Sequence, residues 1–151
     1  MIKDDGDIVR GLGFVTLYAS YLEEQIEELI DFLKMFKKYK GGWQISGKIN
    51  HAIDTLTEFN QNRFSNLILD LRTCLQIFEE RNAFVHGRIY AGIKRPDTLK
   101  SSRPNVPDRE VESAELYQLA NAMNDFRSAI YRPMIFELPK ALREYQDSRL
   151  K

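Results

Sequence analysis

The chain has 151 residues and a mass of 17.7 kDa, a length that suits one domain over residues 1–151. Its 22 Lys and Arg balance 22 Asp and Glu, which disfavours a protein that coats nucleic acid through a global positive field. A hydrophobic content of 43% without long polar blocks excludes a disordered chain. Cys74 is the single cysteine, so neither a disulfide framework within the chain nor a multi-cysteine zinc site is available. No apolar run approaches the roughly 18 residues of a membrane span. The acidic start, Met1 to Asp7, lacks the apolar core of a signal peptide. A soluble, cytoplasmic domain is expected.

The first predicted element is a long helix over residues 7–39. Ile8, Leu12, Val15, Ala19, Leu22, Ile26, Leu29, Leu33 and Phe36 recur at spacings of three and four. Asp7 is its N-cap, and Lys34, Lys37, Lys38 and Lys40 gather where a helix C-terminus favours cations. Gly41 and Gly42 stop it, while Gly11 and Gly13 weaken its first turns. Ser46 caps a second predicted helix with Ile49, Ala52, Ile53, Leu56 and Phe59 on one face, which Asn60, Gln61 and Asn62 end or bend. A third runs over 64–86, with Phe64, Leu67, Ile68, Leu71, Cys74, Leu75, Phe78 and Val85 as its apolar stripe and Gly87 as its stop.

Residues 88–110 differ in kind. Pro96, Pro104 and Pro107 fall here, and Ile89, Ala91 and Ile93 alternate with Tyr90, Gly92 and Lys94. A short strand or hairpin followed by an irregular loop is expected. Over 88–109 the six cations Arg88, Lys94, Arg95, Lys100, Arg103 and Arg109 face only Asp97 and Asp108, which leaves +4 on this segment and −4 on the rest. A fourth helix starts near Ser113, with Leu116, Leu119, Ala120, Met123, Phe126 and Ile130 on one side, and Pro133 kinks or ends it. Leu138, Leu142 and Tyr145 mark a short final helix. The fold class is therefore all-α: an up-and-down bundle of four main helices, with a short β-hairpin or irregular basic loop inserted before the last long one.

On a helical wheel, Asn82 takes the angle of Phe64 and His86 that of Ile68, so both polar side chains fall on the stripe expected to be buried. Arg81 lies beside Cys74, about 140° from His86. Buried polar groups cost free energy unless they are partnered. Two accounts stay open on the residues alone. Asn82 and His86 cap the last carbonyls of the helix, or they belong to a site completed by another helix, a second subunit or a ligand.

The run Glu80-Arg81-Asn82-Ala83-Phe84-Val85-His86-Gly87 resembles the signature of the HEPN superfamily (higher eukaryotes and prokaryotes nucleotide-binding domain). That signature is an Arg, a polar residue that is often Asn, and a His a few residues on at a helix end. About eight residues carry the motif, and the helical architecture extends the resemblance over most of the chain. The resemblance implies a metal-independent endoribonuclease that needs no cofactor, with Arg81, Asn82 and His86 as catalytic residues. It implies a homodimer in which two motifs meet in one composite site, and a role in a toxin–antitoxin or phage-defence system. It further implies RNA as substrate, an antitoxin or nucleotidyltransferase-like partner, and a 2′,3′-cyclic phosphate product. The chemistry suits the residues: an imidazole moves protons near neutral pH, and a guanidinium binds a phosphate in a bidentate manner. Arg88, Lys94, Arg95, Lys100 and Arg103, directly after the motif, are the expected RNA-contacting residues. The alternative is a non-catalytic helical module that binds a nucleotide or a protein partner.

Other candidates carry less. Cys74 and His86 are separated by about 18 Å of helix and cannot pair within one chain; Cys74 reads as a core residue. His51 sits off the apolar stripe of its helix and is expected to be exposed. Two histidines without a carboxylate–histidine helix motif offer no metal site. Gly11-Leu12-Gly13 lacks the strand and the later glycine of a phosphate-binding loop.

Overall fold

A computed structural model describes residues 1–93 and 95–151; Lys94 lies outside the described residues. The elements are, in order, α1 (Ile8–Leu33), α2 (Ile45–Asn60), α3 (Ser65–His86), β1 (Arg88–Tyr90), β2 (Thr98–Lys100), β3 (Arg109–Glu110), α4 (Ser113–Phe136) and α5 (Leu138–Arg149). The chain is thus mostly helical, with one small antiparallel sheet of order β1-β2-β3. No helix among the described residues is long and apolar enough to cross a membrane. The chain forms two compact units: Met1–Ser20 with Gln76–Asn124, and Tyr21–Leu75 with Asp125–Lys151.

The first unit holds the start of α1, the end of α3, the sheet and the start of α4. Asp7 caps α1 as expected, its Oδ1 accepting the N–H groups of Val9 and Arg10 at 3.0 Å. Gly11 has a packing reason: a Cβ there would stand 3.0 Å from Leu116 Cβ and from the Tyr117 ring. The N-terminal stretch is tied down by Asn121, which donates to the Ile2 carbonyl and accepts the Ile2 N–H, both at 2.9 Å. Glu115 caps α4 by accepting the Glu112 N–H at 3.0 Å, the reciprocal half of a capping box. The expected loop contains more regular structure than a single hairpin. Leu99 of β2 pairs with Ile89 on one side and Arg109 on the other. Leu99 and Val111 are buried and give this segment an apolar anchor.

Asp5 accepts the Tyr117 hydroxyl at 2.7 Å, the Asp7 N–H at 3.1 Å and Arg10 Nη1 at 2.7 Å. The Tyr117 bond, above all, holds the Asp5 carboxyl below its ordinary range. Burial, then the same bond, pushes the Tyr117 phenol up to about 12. A carboxylate with a lowered folded value stabilises the fold above its unfolded value of 3.8, and that stability fades as pH falls through the folded one. A Tyr with a raised value stabilises below about pH 10 and loses this on the way to 12. Tyr117→Phe is therefore expected to lower the thermal midpoint at neutral pH. The gap to the parent should narrow below pH 3.8, and thermal melts across pH check it.

The second unit is entirely helical. Its core is built from Leu22, Ile26, Leu29 and Leu33 of α1, Ile49, Ala52 and Leu56 of α2, Leu67, Leu71 and Cys74 of α3, Ile130 and Met134 of α4, and Leu138 and Leu142 of α5. Burial, then the charge of Asp70, pushes the Cys74 thiol up to about 12, so it is an inert core group. The first helix stops at Leu33, well before Tyr39. The Leu33 carbonyl accepts the N–H groups of both Phe36 and Lys37 at 2.9 Å, and Phe36 packs on Phe59 and Tyr145 with ring centroids 5.1 and 5.3 Å apart. The ring contacts hold Phe36 beyond the helix end, and Lys37, Lys38 and Lys40 lie outside the helix. Ser46 does not cap α2. The cap position falls two residues earlier, at Gln44, with no side-chain cap bond. Pro133 does not end α4, which runs on to Phe136; the proline removes one backbone N–H from the helix, the donor to the carbonyl four residues earlier.

Candidate functional site

The motif occupies the last turn and a half of α3, in the first unit. There the buried face consists of Ile77, Phe78 and Phe84, with Arg81 half-buried between them. The expectation that Asn82 and His86 lie on the buried stripe is not met. His86 is exposed and Asn82 half-buried, while Val85, expected inside, is 39% exposed. The reason is a change of partner along the helix. Beyond Gln76 the buried face runs through Ile77 and Phe84, with Arg109 of β3 stacked over Phe84, and His86 sits about 180° round from Ile77.

Each motif residue therefore has a distinct setting. The Arg81 guanidinium carbon lies 5.2 Å from the centre of the Phe78 ring, a cation–π contact that fixes the side chain against the helix it belongs to. Neither Asn82 nor His86 makes a hydrogen bond to another described residue, so the capping account of these two fails. The last backbone bond of the helix is the Gly87 N–H donating to the Ala83 carbonyl at 3.1 Å. Asn82 and His86 stand one turn apart on the same face, with the imidazole open to solvent.

Gly87 fixes the path of the chain as it leaves α3. A Cβ at this position would come 2.5 Å from the Ala83 carbonyl oxygen and 2.8 Å from both the Lys100 carbonyl oxygen and Leu99 Cδ1. Only glycine lets the end of α3 approach β2 this closely. The approach brings β1 directly off the helix and places Arg88 opposite Lys100 in register. Like charges directly opposed on a strand pair repel. An anion between them would relieve that repulsion.

The expected basic residues do not form one cluster. Arg88 and Lys100 come together as cross-strand partners, and both are exposed. Lys100 Nζ lies 5.3 Å from the Tyr90 ring centre and 3.9 Å from Asp108 Oδ2. Arg103 Nη1 lies 3.6 Å from Glu79 Oε2. Such exposed pairs are worth little and open readily to a phosphate. Arg95 is elsewhere, beside a cavity of about 450 Å³ that is also lined by Asp4, Asp97 and Glu112. The three carboxylates beside it offset the positive charge of Arg95 there. Lys94, the fifth expected residue, is outside the described residues.

Sequence reasoning missed one residue. Arg109 stacks its guanidinium over Phe84, 5.5 Å from the ring centre, and donates to Glu115 at 2.8 Å. It thereby ties β3 to both the motif helix and the start of α4. In the sequence it counted only as one of the six cations of 88–109, which does not announce such a tie.

No family model, no curated protein and no solved structure matches the chain.

Proposed function

We propose that this protein is a metal-independent endoribonuclease of HEPN type that acts as a homodimer, with Arg81, Asn82 and His86 at a composite site. The observation that carries the reading is the solvent-open imidazole of His86 at the end of α3, one turn from Asn82 and next to the opposed cations Arg88 and Lys100. The resemblance of residues 80–87 to the HEPN signature supports it.

In this reading one His86 takes the proton from a ribose 2′-hydroxyl. The 2′-oxygen then attacks the adjacent phosphorus, the bond from phosphorus to the 5′-oxygen breaks, and the leaving oxygen takes up a proton from the second His86. The products are a 2′,3′-cyclic phosphate and a 5′-hydroxyl. Arg81 neutralises the charge that develops on the phosphoryl oxygens, and Asn82 orients substrate or imidazole. Arg88, Lys100 and Arg103 hold flanking phosphates. One chain supplies one His and one Arg, so the two-histidine mechanism needs two chains. A toxin or phage-defence role, controlled by an antitoxin or a nucleotidyltransferase-like partner, belongs to the same reading.

Sedimentation equilibrium tests the dimer. The expected mass is twice the 17.7 kDa of the chain, with RNA cleavage that rises more steeply than linearly as protein concentration passes through the association range. A strict monomer that cleaves in direct proportion to its concentration contradicts the composite site. A second reading, a non-catalytic helical module that binds a nucleotide or a protein partner, is favoured by the packing of Arg81 on Phe78. It predicts no cleavage by the dimer at any concentration.

A further inference from the structure

The second unit carries its own concentration of cations, which the motif does not use. Lys37, Lys38, Lys40, Tyr39 and Gly41, in the segment between α1 and α2, line a cavity of about 600 Å³ together with His51 of α2. No carboxylate is among these residues. Glu58 holds Lys37 at 2.9 Å. Lys38 and Lys40 are exposed and have no acidic partner among the described residues.

The cavity wall is organised. The Tyr39 hydroxyl donates to the Gly42 carbonyl at 2.5 Å, which folds the loop over the ring. The Tyr39 ring in turn packs against His51, with centroids 5.2 Å apart. His51 is half-buried rather than exposed, and its Nε2 lies 3.4 Å from the hydroxyl of Thr55, which is fully buried. When Thr55 donates to Nε2, the imidazole proton sits on Nδ1 and is a donor for an anion. Trp43, the only tryptophan of the chain, lies in the same loop and is 85% exposed. Its indole therefore stands open to a stacking partner in the same loop as these ammonium groups.

We infer that this loop and His51 form a second binding site, for the phosphate of a nucleotide unit whose base stacks on Trp43. Lysine ammonium groups neutralise the phosphate as point charges. Base–aromatic stacking is sequence-tolerant, and it needs a ring as open as this one. The same phosphate-and-base chemistry is offered by a free nucleotide or by a unit within single-stranded RNA. The site stands in the other unit of the chain and does not depend on the ribonuclease reading.

A lone tryptophan makes the test direct, by intrinsic fluorescence titration of the full-length protein. The probes are AMP, inorganic phosphate, and an oligouridylate made non-cleavable by 2′-O-methylation. Saturable quenching by AMP or by the oligonucleotide is expected, with inorganic phosphate competing but not quenching. AMP binding as tightly as the oligonucleotide identifies a free nucleotide; much tighter oligonucleotide binding identifies a strand. The exposed double variant Lys38→Gln/Lys40→Gln should weaken binding by about tenfold or more, and His86→Ala should leave it intact. No saturable quenching by either probe overturns the proposal. So does equal binding by the lysine variant, or loss of quenching in His86→Ala, which would move the ligand to the motif.

Discussion

His86→Ala is expected to lower RNA cleavage in EDTA by about 10²–10⁴-fold, the range that a positioned general acid–base contributes. Its thermal midpoint should stay close to that of the parent. Both expectations rest on where the residue sits. His86 is exposed, bonds no other described residue, and lies outside the buried face of α3, so its loss removes no packing and no cap. Arg81 calls for a different substitution, since its half-buried guanidinium covers Phe78. Arg81→Lys keeps the charge and loses the planar fork. A fall in cleavage with little change in melting would then report on phosphate recognition. Undiminished cleavage by His86→Ala removes the residue from the mechanism.

Gly87→Ala should be the most damaging small change near the motif. The added Cβ meets two backbone carbonyl oxygens, of Ala83 and Lys100, and neither can swing away as a side chain would. Overpacking of this kind costs about 1–3 kcal/mol, which for a chain of this size lowers the thermal midpoint by roughly 2–12 °C. Thermal denaturation measures it. Cleavage should fall further than stability alone explains, because pushing β2 away from α3 also carries Lys100 away from His86. An unchanged midpoint would show that the helix and the strand are not in close contact.

Much of this arrangement is written in local sequence. Asp7 caps α1, Gly87 closes α3, and the three-and-four spacing marks every long helix, because these signals act within one or two turns. What escaped depends on partners distant in the chain. Nothing near Leu33 announces that Phe36 will leave the helix for Phe59 and Tyr145. The wheel assumes one buried stripe from end to end, whereas the cover on α3 changes beyond Gln76 and turns His86 outward. Leu99 and Val111, buried under the extra strand pairing, are not distinguished in the sequence from Val106, which is exposed. His51 lies off the stripe of α2, and only the return of Tyr39 onto its ring half-buries it. The neutral total charge concealed two local cationic surfaces, at Arg88 and Lys100 and at Lys38 and Lys40, which the acidic faces of the helices offset.

The ends of the cleaved RNA test the central claim most directly. A 5′-labelled single-stranded RNA incubated with the wild-type protein in EDTA is expected to yield fragments that end in a 2′,3′-cyclic phosphate, matched by downstream fragments with a 5′-hydroxyl. RNA left intact under conditions where the protein is dimeric, or fragments ending in a 3′-hydroxyl, would contradict it.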